Sequence, residues 1–171
     1  MRNVEIKAEV YNLDKLVELV KALAPQRHEI IIQKDTFYKV PNGRLKLRKF
    51  ENGSGELIYY ERPDTEGPKM CLYEKSSILP ENLNSIHTTL EKALGTKIVV
   101  NKIRQLFMVG QTRVHVDSVE DLGDFMELEV VLKDEQTSEE GEKIAFDIME
   151  KLEISKENLI SGAYADLLRD K

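Results

Sequence analysis

Cysteine is nearly absent: Cys71 is the only one in 171 residues. That excludes an intrachain disulfide and a cysteine-based zinc site. No apolar run approaches the ~18 residues of a membrane-spanning helix. The opening stretch, Met1-Arg-Asn-Val-Glu-Ile-Lys7, has none of the apolar character of a signal peptide. Positive charge is in the minority, with 25 Lys and Arg against 31 Asp and Glu and a net charge of −6. This balance argues against a general nucleic-acid or membrane-surface binder, whose affinity rests on net positive charge. Internal repeats, low-complexity blocks and linkers are also missing. The expectation is one cytoplasmic domain over residues 1–171, a monomer or homodimer, with neither nucleic acid nor membrane as partner. What is present suits a folded chain: 41% of residues are apolar and 33% charged, and the length suffices for a core without staples.

The pattern is one of short alternating segments. Val4, Ile6, Ala8 and Val10 alternate with Asn3, Glu5, Lys7 and Glu9, the period of a strand. Asn12 can cap a helix carrying Leu13, Leu16, Val17, Val20 and Leu23 on one face, with Pro25 at its exit. A strand near 29–40 meets the turn Pro41-Asn42-Gly43, and Leu45 and Leu47 then alternate with Arg44, Lys46 and Arg48. Asn52-Gly53-Ser54-Gly55 turns the chain into a strand near 56–62. The turn Asp64–Pro68 leads to another near 69–75. Residues 80–94 read as a helix stopped by Gly95. Strands near 97–109, 111–119 and 124–133 follow, then a helix capped by Ser138 and a short one over 162–169. About eight antiparallel strands with helices outside them predict an α+β protein, a closed or nearly closed barrel.

The polar faces of these strands carry almost nothing but ionic groups. Glu5, Lys7 and Glu9 share one face; so do Arg44, Lys46 and Arg48; then Lys102 and Arg104; Arg113, His115 and Asp117; Glu127 and Glu129. The opposite faces are aliphatic. Two arrangements satisfy such strands. One puts the aliphatic face in a core and the charges in water. The other inverts the barrel, so that helices cover the aliphatic outside and charges line a tunnel. Any single strand favours the first. Five together favour the second, because the apolar helix faces also need a surface to cover.

A tunnel of that kind holds the cations Lys7, Arg44, Lys46, Arg48, Arg62, Lys102, Arg104 and Arg113 with the anions Glu5, Glu9, Asp117, Glu127 and Glu129. Buried cations in that number need anionic partners. The carboxylates offset some, and a polyphosphate would offset the rest, since Arg forks match phosphate oxygens. Glu127-x-Glu129, with Asp117 on a neighbouring strand, clusters hard oxygen ligands of the kind that hold Mg²⁺ or Mn²⁺. The chemistry this predicts is metal-assisted phosphoryl transfer.

Taken in order, these residues resemble the CYTH family, also called triphosphate tunnel metalloenzymes, whose namesakes are class IV adenylate cyclase and thiamine triphosphatase. The family's Glu-x-Glu-x-Lys signature falls on Asn3-Val-Glu5-Ile-Lys7, with Asn in place of the first glutamate. Lys46-Leu-Arg48, Tyr60-Glu-Arg62 and Val100-Asn-Lys102-Ile-Arg104 fit its basic strands. The most specific match runs from Arg113-Val-His-Val-Asp117 to Glu127-Leu-Glu129, and Ala163–Leu168 is similar to its closing segment. The resemblance spans nearly the whole chain. It implies an eight-stranded antiparallel tunnel, a Mg²⁺ or Mn²⁺ cofactor and a small triphosphate substrate. By position it implies Glu5, Asp117, Glu127 and Glu129 as metal ligands. Lys7, Lys46, Arg48, Arg62, Lys102, Arg104 and Arg113 are implied as phosphate ligands. Lys102 would orient the attacking water, with Glu5 beside it in the catalytic set. Asn3 removes one negative charge from the metal side, which Glu9 compensates if it points inward.

Other positions keep two readings. Arg44 is a rim residue or a turn flank, and His115 a structural histidine or a substrate contact. His28 and His87 read as surface groups and Cys71 as a packing residue. Tyr60 faces inward in preference to Tyr59 by parity with Arg62. Lys69 and Lys75 reach the substrate end, in a register that a slip of one residue would reverse. The acidic run 134–142 is a solvated loop and helix start. The leading expectation is hydrolysis of inorganic tripolyphosphate or thiamine triphosphate. A class IV cyclase making cyclic AMP and pyrophosphate from ATP is the alternative, and a non-catalytic polyphosphate or nucleotide binder ranks third.

Overall fold

The computed structural model describes residues 1–63 and 65–169; Asp64, where the turn before the fifth strand was expected to begin, lies outside them. The strands are β1 (Arg2–Glu9), β2 (Arg27–Tyr38), β3 (Arg44–Phe50), β4 (Gly55–Glu61), β5 (Lys69–Ile78), β6 (Thr96–Val109), β7 (Thr112–Val119) and β8 (Gly123–Val131). The helices are α1 (Leu13–Ala22), α2 (Pro80–Leu94), α3 (Ser138–Lys151) and α4 (Tyr164–Arg169). All strand pairs are antiparallel, and the order β1-β5-β4-β3-β2-β6-β7-β8 closes on itself through the β1–β8 pair. Closure removes every sheet edge. None of the helices among the described residues is long and apolar enough to cross a membrane.

The barrel is inverted, as the five charged faces together predicted. Val4, Ile6 and Ala8 of β1, Val114 and Val116 of β7, and Met126, Leu128 and Val130 of β8 point outward. They form a buried cluster with Leu16 and Val20 of α1 and Ala145, Ile148 and Met149 of α3. Burying such a side chain contributes about 1.5–3 kcal/mol, so this outer layer is the protein's main core. A second cluster joins Tyr38, Leu47 and Ile78 to Leu83 of α2. The helices covering the aliphatic face are therefore α1, α2 and α3. Helix α4 does something else: Tyr164 and Ala165 pack on Phe37, Val100, Val119 and Phe125 at one end of the barrel.

Local signals place these elements. Asn12 caps α1 by accepting from the Lys15 amide, and Gly95 ends α2 at φ 82°. The α3 cap is Thr137, not Ser138: Thr137 and Glu140 form a reciprocal capping box, which outcompetes a lone serine one residue later. Gly43 sits at φ 58° with the Tyr59 ring packed where a Cβ would stand. That contact takes Tyr59 outside and leaves Tyr60 inside.

Gly141 in α3 is a close-approach site. A Cβ there would lie 2.7 Å from both Val4 Cγ2 and Leu132 Cδ2. Gly141→Val is expected to destabilise the protein by about 2–3 kcal/mol by pushing α3 off β1. A melting temperature equal to wild type would show that α3 docks more loosely than described.

Candidate functional site: the charged tunnel

Antiparallel pairing puts partner residues on one face, so the register assembles the site. Glu5 pairs with Glu129 and Lys7 with Glu127 across β1–β8. Arg113 pairs with Glu129 and His115 with Glu127 across β7–β8. Arg104 pairs with Asp117 across β6–β7, and Asp35 with Arg48 across β2–β3. All of these side chains except Asp117 line a cavity of about 450 Å³, with Lys46, Tyr60, Arg62 and Lys102 also in its wall. Tyr164 lies at the α4 end, while Arg27 and Lys75 at the opposite end are exposed.

Buried charges survive only when paired, and each cation here has an internal anion. Arg48 donates two hydrogen bonds of 2.8 Å to Asp35, whose Oδ2 also takes Lys46 at 3.2 Å and Lys102 at 3.3 Å. Arg104 grips both oxygens of Asp117 at 2.7 and 2.8 Å, and the Tyr164 hydroxyl donates to Asp117 Oδ2 at 2.8 Å. Lys7 lies 3.5 Å from Glu127 and 4.0 Å from the Tyr164 ring centre. Arg62, just past β4, donates to Glu5 at 3.3 Å. Arg113 lies 3.9 Å from Glu129.

The protonation states follow from this pairing. Burial raises Asp35, but Arg48, Lys102 and Lys46 override it and hold the carboxyl well below its usual range. Burial also raises Asp117, yet Arg104 brings it to about 2. Burial pulls Lys7 down to about 8 against the attraction of Glu127. Lys102 falls well below the usual lysine value, first through burial, then through Arg104, Arg48 and Lys46, despite Asp35. Burial, then Arg104, keeps His115 well below 6.5, so its ring is neutral. Burial and the neighbouring Glu127 and Glu5 push Glu129 up to about 8. Glu5 rises by burial and by Glu127 as well. On the β1–β8 side three carboxylates, Glu5, Glu127 and Glu129, thus crowd at neighbouring strand positions, each with one cation near it.

The expected metal ligands are only partly together. Glu127, Glu129 and His115 each bring one ligand atom within 4.8 Å of the others, and Glu5 lies on the adjacent strand. Asp117 is not in the cluster, because both its oxygens are taken by Arg104. Glu9 does not compensate for Asn3: β1 ends there, and its side chain is exposed beside the Tyr11 hydroxyl. Asn3 does face inward, with its Oδ1 buried and unpartnered, as is His115 Nδ1. Arg44 lies outside the cavity wall and binds Asp166 at 2.6 Å, tying α4 to β3. Cys71 is buried in the cavity wall beside Asn3, its cross-strand partner. Lys75 is in the wall, while Lys69 is buried against the Thr65 carbonyl. His28 is exposed, stacked on Phe107, and His87 binds the Tyr38 hydroxyl at 2.8 Å.

Several wall residues escaped the sequence reading, among them Asp35 and Tyr164. Asp35 was hidden because β2 mixes apolar and polar residues on both faces, although Gln33, Asp35 and Phe37 do hold one parity. Its role emerges only from the β2–β3 register. Tyr164 lies within the closing segment, but nothing local says that its hydroxyl reaches Asp117, 47 positions away in sequence.

Comparison with known proteins gives consistent results. A profile of the CYTH domain matches residues 1–164. A Methanocaldococcus jannaschii protein named "Putative adenylate cyclase" is 27% identical, covering 98% of each chain. The solved PH1012 protein of Pyrococcus horikoshii superposes with a TM-score of 0.81 at 24% identity, over 96% of this chain and 98% of its own. A Hippeastrum protein for which a dominant triphosphatase activity is described superposes with a TM-score of 0.71 at 14% identity, over 98% and 95% of the two chains.

Proposed function

The chain belongs to the CYTH family, and from that premise we propose that it is a divalent-metal-dependent hydrolase of a triphosphate, inorganic tripolyphosphate or thiamine triphosphate. The observation that carries this reading is the division of one cavity into two sides. Lys46, Arg48 and Lys102 gather cations around the single anion Asp35 on one side, Glu127, Glu129 and His115 converge on the other, and Lys7 and Arg62 stand beside those carboxylates. A polyphosphate suits the first side, and a hard cation the second.

The donor set fits Mg²⁺ or Mn²⁺. Glu127 and Glu129 supply carboxylate oxygens, the neutral His115 a ring nitrogen, and Glu5 and the unpartnered Asn3 Oδ1 lie on the neighbouring strand. Held by these residues, such a cation would supply Lewis-acid charge stabilisation to the phosphoryl oxygens. The rest belongs to the chain. Lys46, Arg48 and Arg62 hold phosphoryl oxygens in line, and Arg104, fixed by Asp117, supports the same wall. Lys102, held 3.3 Å from Asp35, orients the attacking water, whose proton is released to the departing diphosphate or to solvent. Water oxygen bonds to the terminal phosphorus as the bridging P–O bond breaks, and diphosphate leaves with that electron pair.

Product analysis with tripolyphosphate, thiamine triphosphate and ATP tests this, each with Mg²⁺, Mn²⁺ or chelator. The expected result is phosphate released from one of the first two and lost in chelator. Cyclic AMP and pyrophosphate from ATP would replace the hydrolase by a cyclase. Tight triphosphate binding without any product would replace both by a binding module.

A further inference from the structure

His115 holds a place in the tunnel that its hydrogen bonds do not explain. It stands on β7 as the cross-strand partner of Glu127 on β8, lines the cavity and is only 4% exposed. Buried polar side-chain atoms ordinarily find a partner, because one left without costs about 1–3 kcal/mol. His115 Nδ1 has none. Glu129 Oε1 lies 3.8 Å from it, beyond hydrogen-bond length. Yet a ring nitrogen of His115 lies within 4.8 Å of a carboxylate oxygen of both Glu127 and Glu129. A ring grouped with two carboxylates and left without a hydrogen bond at Nδ1 is placed as a ligand, not as a structural histidine.

Two oxygen donors that the sequence resemblance implies are withdrawn from the same site. Asp117, two residues further along β7, gives both oxygens to Arg104 at 2.7 and 2.8 Å, and Oδ2 also accepts from the Tyr164 hydroxyl. On β1 the neutral Asn3 stands where the signature has its first glutamate. The donor set has therefore lost two anionic oxygens and gained a nitrogen. This changes which cation it fits. Mg²⁺ takes oxygen ligands and gives up its waters reluctantly. Imidazole suits transition-metal ions, and a mixed nitrogen and oxygen site tightens along that series from Mn²⁺ to Co²⁺.

Resting on the reading that this cavity holds a divalent cation, we propose that His115 is a direct ligand and sets the choice of ion, Mn²⁺ over Mg²⁺. Its nitrogen serves in place of an Asp117 oxygen. His115 is thus a specificity-determining residue of the metal site.

The test is electron spin-echo envelope modulation of Mn²⁺ bound to the whole protein, with protein in excess, with and without tripolyphosphate. Wild type is expected to show the ¹⁴N modulation of a directly bound imidazole. Protein grown on ¹⁵N-histidine should show the ¹⁵N pattern instead, a result that needs no substitution and no assumption about folding. Glu127→Gln/Glu129→Gln should lose the modulation, which separates this site from His28 on β2 and His87 on α2. His115→Gln removes the nitrogen and keeps an oxygen donor. In competition titrations it is expected to weaken Mn²⁺ binding about 10–100-fold and Mg²⁺ binding no more than about twofold, so the Mn²⁺/Mg²⁺ affinity ratio falls. A merely structural histidine would weaken both ions alike. Bound Mn²⁺ without nitrogen modulation in wild type, or an unchanged ratio in His115→Gln, overturns the proposal and leaves the hydrolase reading standing. No bound Mn²⁺ under any of these conditions overturns that reading as well.

Discussion

Asp35→Asn is expected to be the most damaging single conservative change in the tunnel. Asp35 is 1% exposed and is the shared anion of Arg48, Lys46 and Lys102. Removing one partner of a buried ion pair costs about 3–5 kcal/mol, because the charge left behind stays desolvated. Here three cations are left behind. The pH dependence has a definite sign. Asp35 is depressed in the folded protein, so its stabilisation is complete above the unfolded value of 3.8 and is lost as pH falls through the lower folded value. Asp35→Asn should therefore melt well below wild type at neutral pH, with the gap closing in strong acid. Tripolyphosphate should rescue it disproportionately, since a polyanion binding the folded state replaces the missing charge. A variant that melts like wild type at neutral pH would mean that water or chloride, not Asp35, balances these cations.

Glu127→Gln should separate binding from turnover. The carboxylate is shared between the ligand cluster and Lys7 at 3.5 Å. Neutralising it weakens the cation site and frees Lys7 for phosphate. Burial alone would raise the Glu127 carboxyl, but Lys7 and Arg104 hold it well below its usual range, so wild type uses the anion at every working pH. Turnover is expected to fall at least ~100-fold, the scale on which even outer groups of metal sites act. Triphosphate affinity measured without metal should hold or rise. Equal loss of turnover and affinity would place Glu127 in a purely structural role.

The sequence carried the barrel because its strands alternate ionic and aliphatic residues so strictly that only one side can be outside. Val4, Ile6 and Ala8 against Asn3, Glu5 and Lys7 show the principle, and β7 and β8 repeat it. It also carried most of the wall, since parity alone puts Lys46 and Arg48, or Lys102 and Arg104, on one face. Pairing partners were not legible. Asp117 resembles a metal ligand in sequence, but the β6–β7 register sets it against Arg104, which takes both its oxygens. Glu9 keeps the inward parity yet falls at the strand's end, where no wall remains.

Mn²⁺ binding, followed by electron paramagnetic resonance in wild type and in Glu127→Gln/Glu129→Gln, tests the central claim most directly. The folded protein holds a proton on Glu129 up to about pH 8, and a cation binding there must displace it. The account predicts that Mn²⁺ affinity rises with pH up to that value and then levels. It also predicts that tripolyphosphate tightens the binding and that the double variant loses it. Mn²⁺ bound equally well by the double variant, or with no dependence on pH through that range, would contradict it.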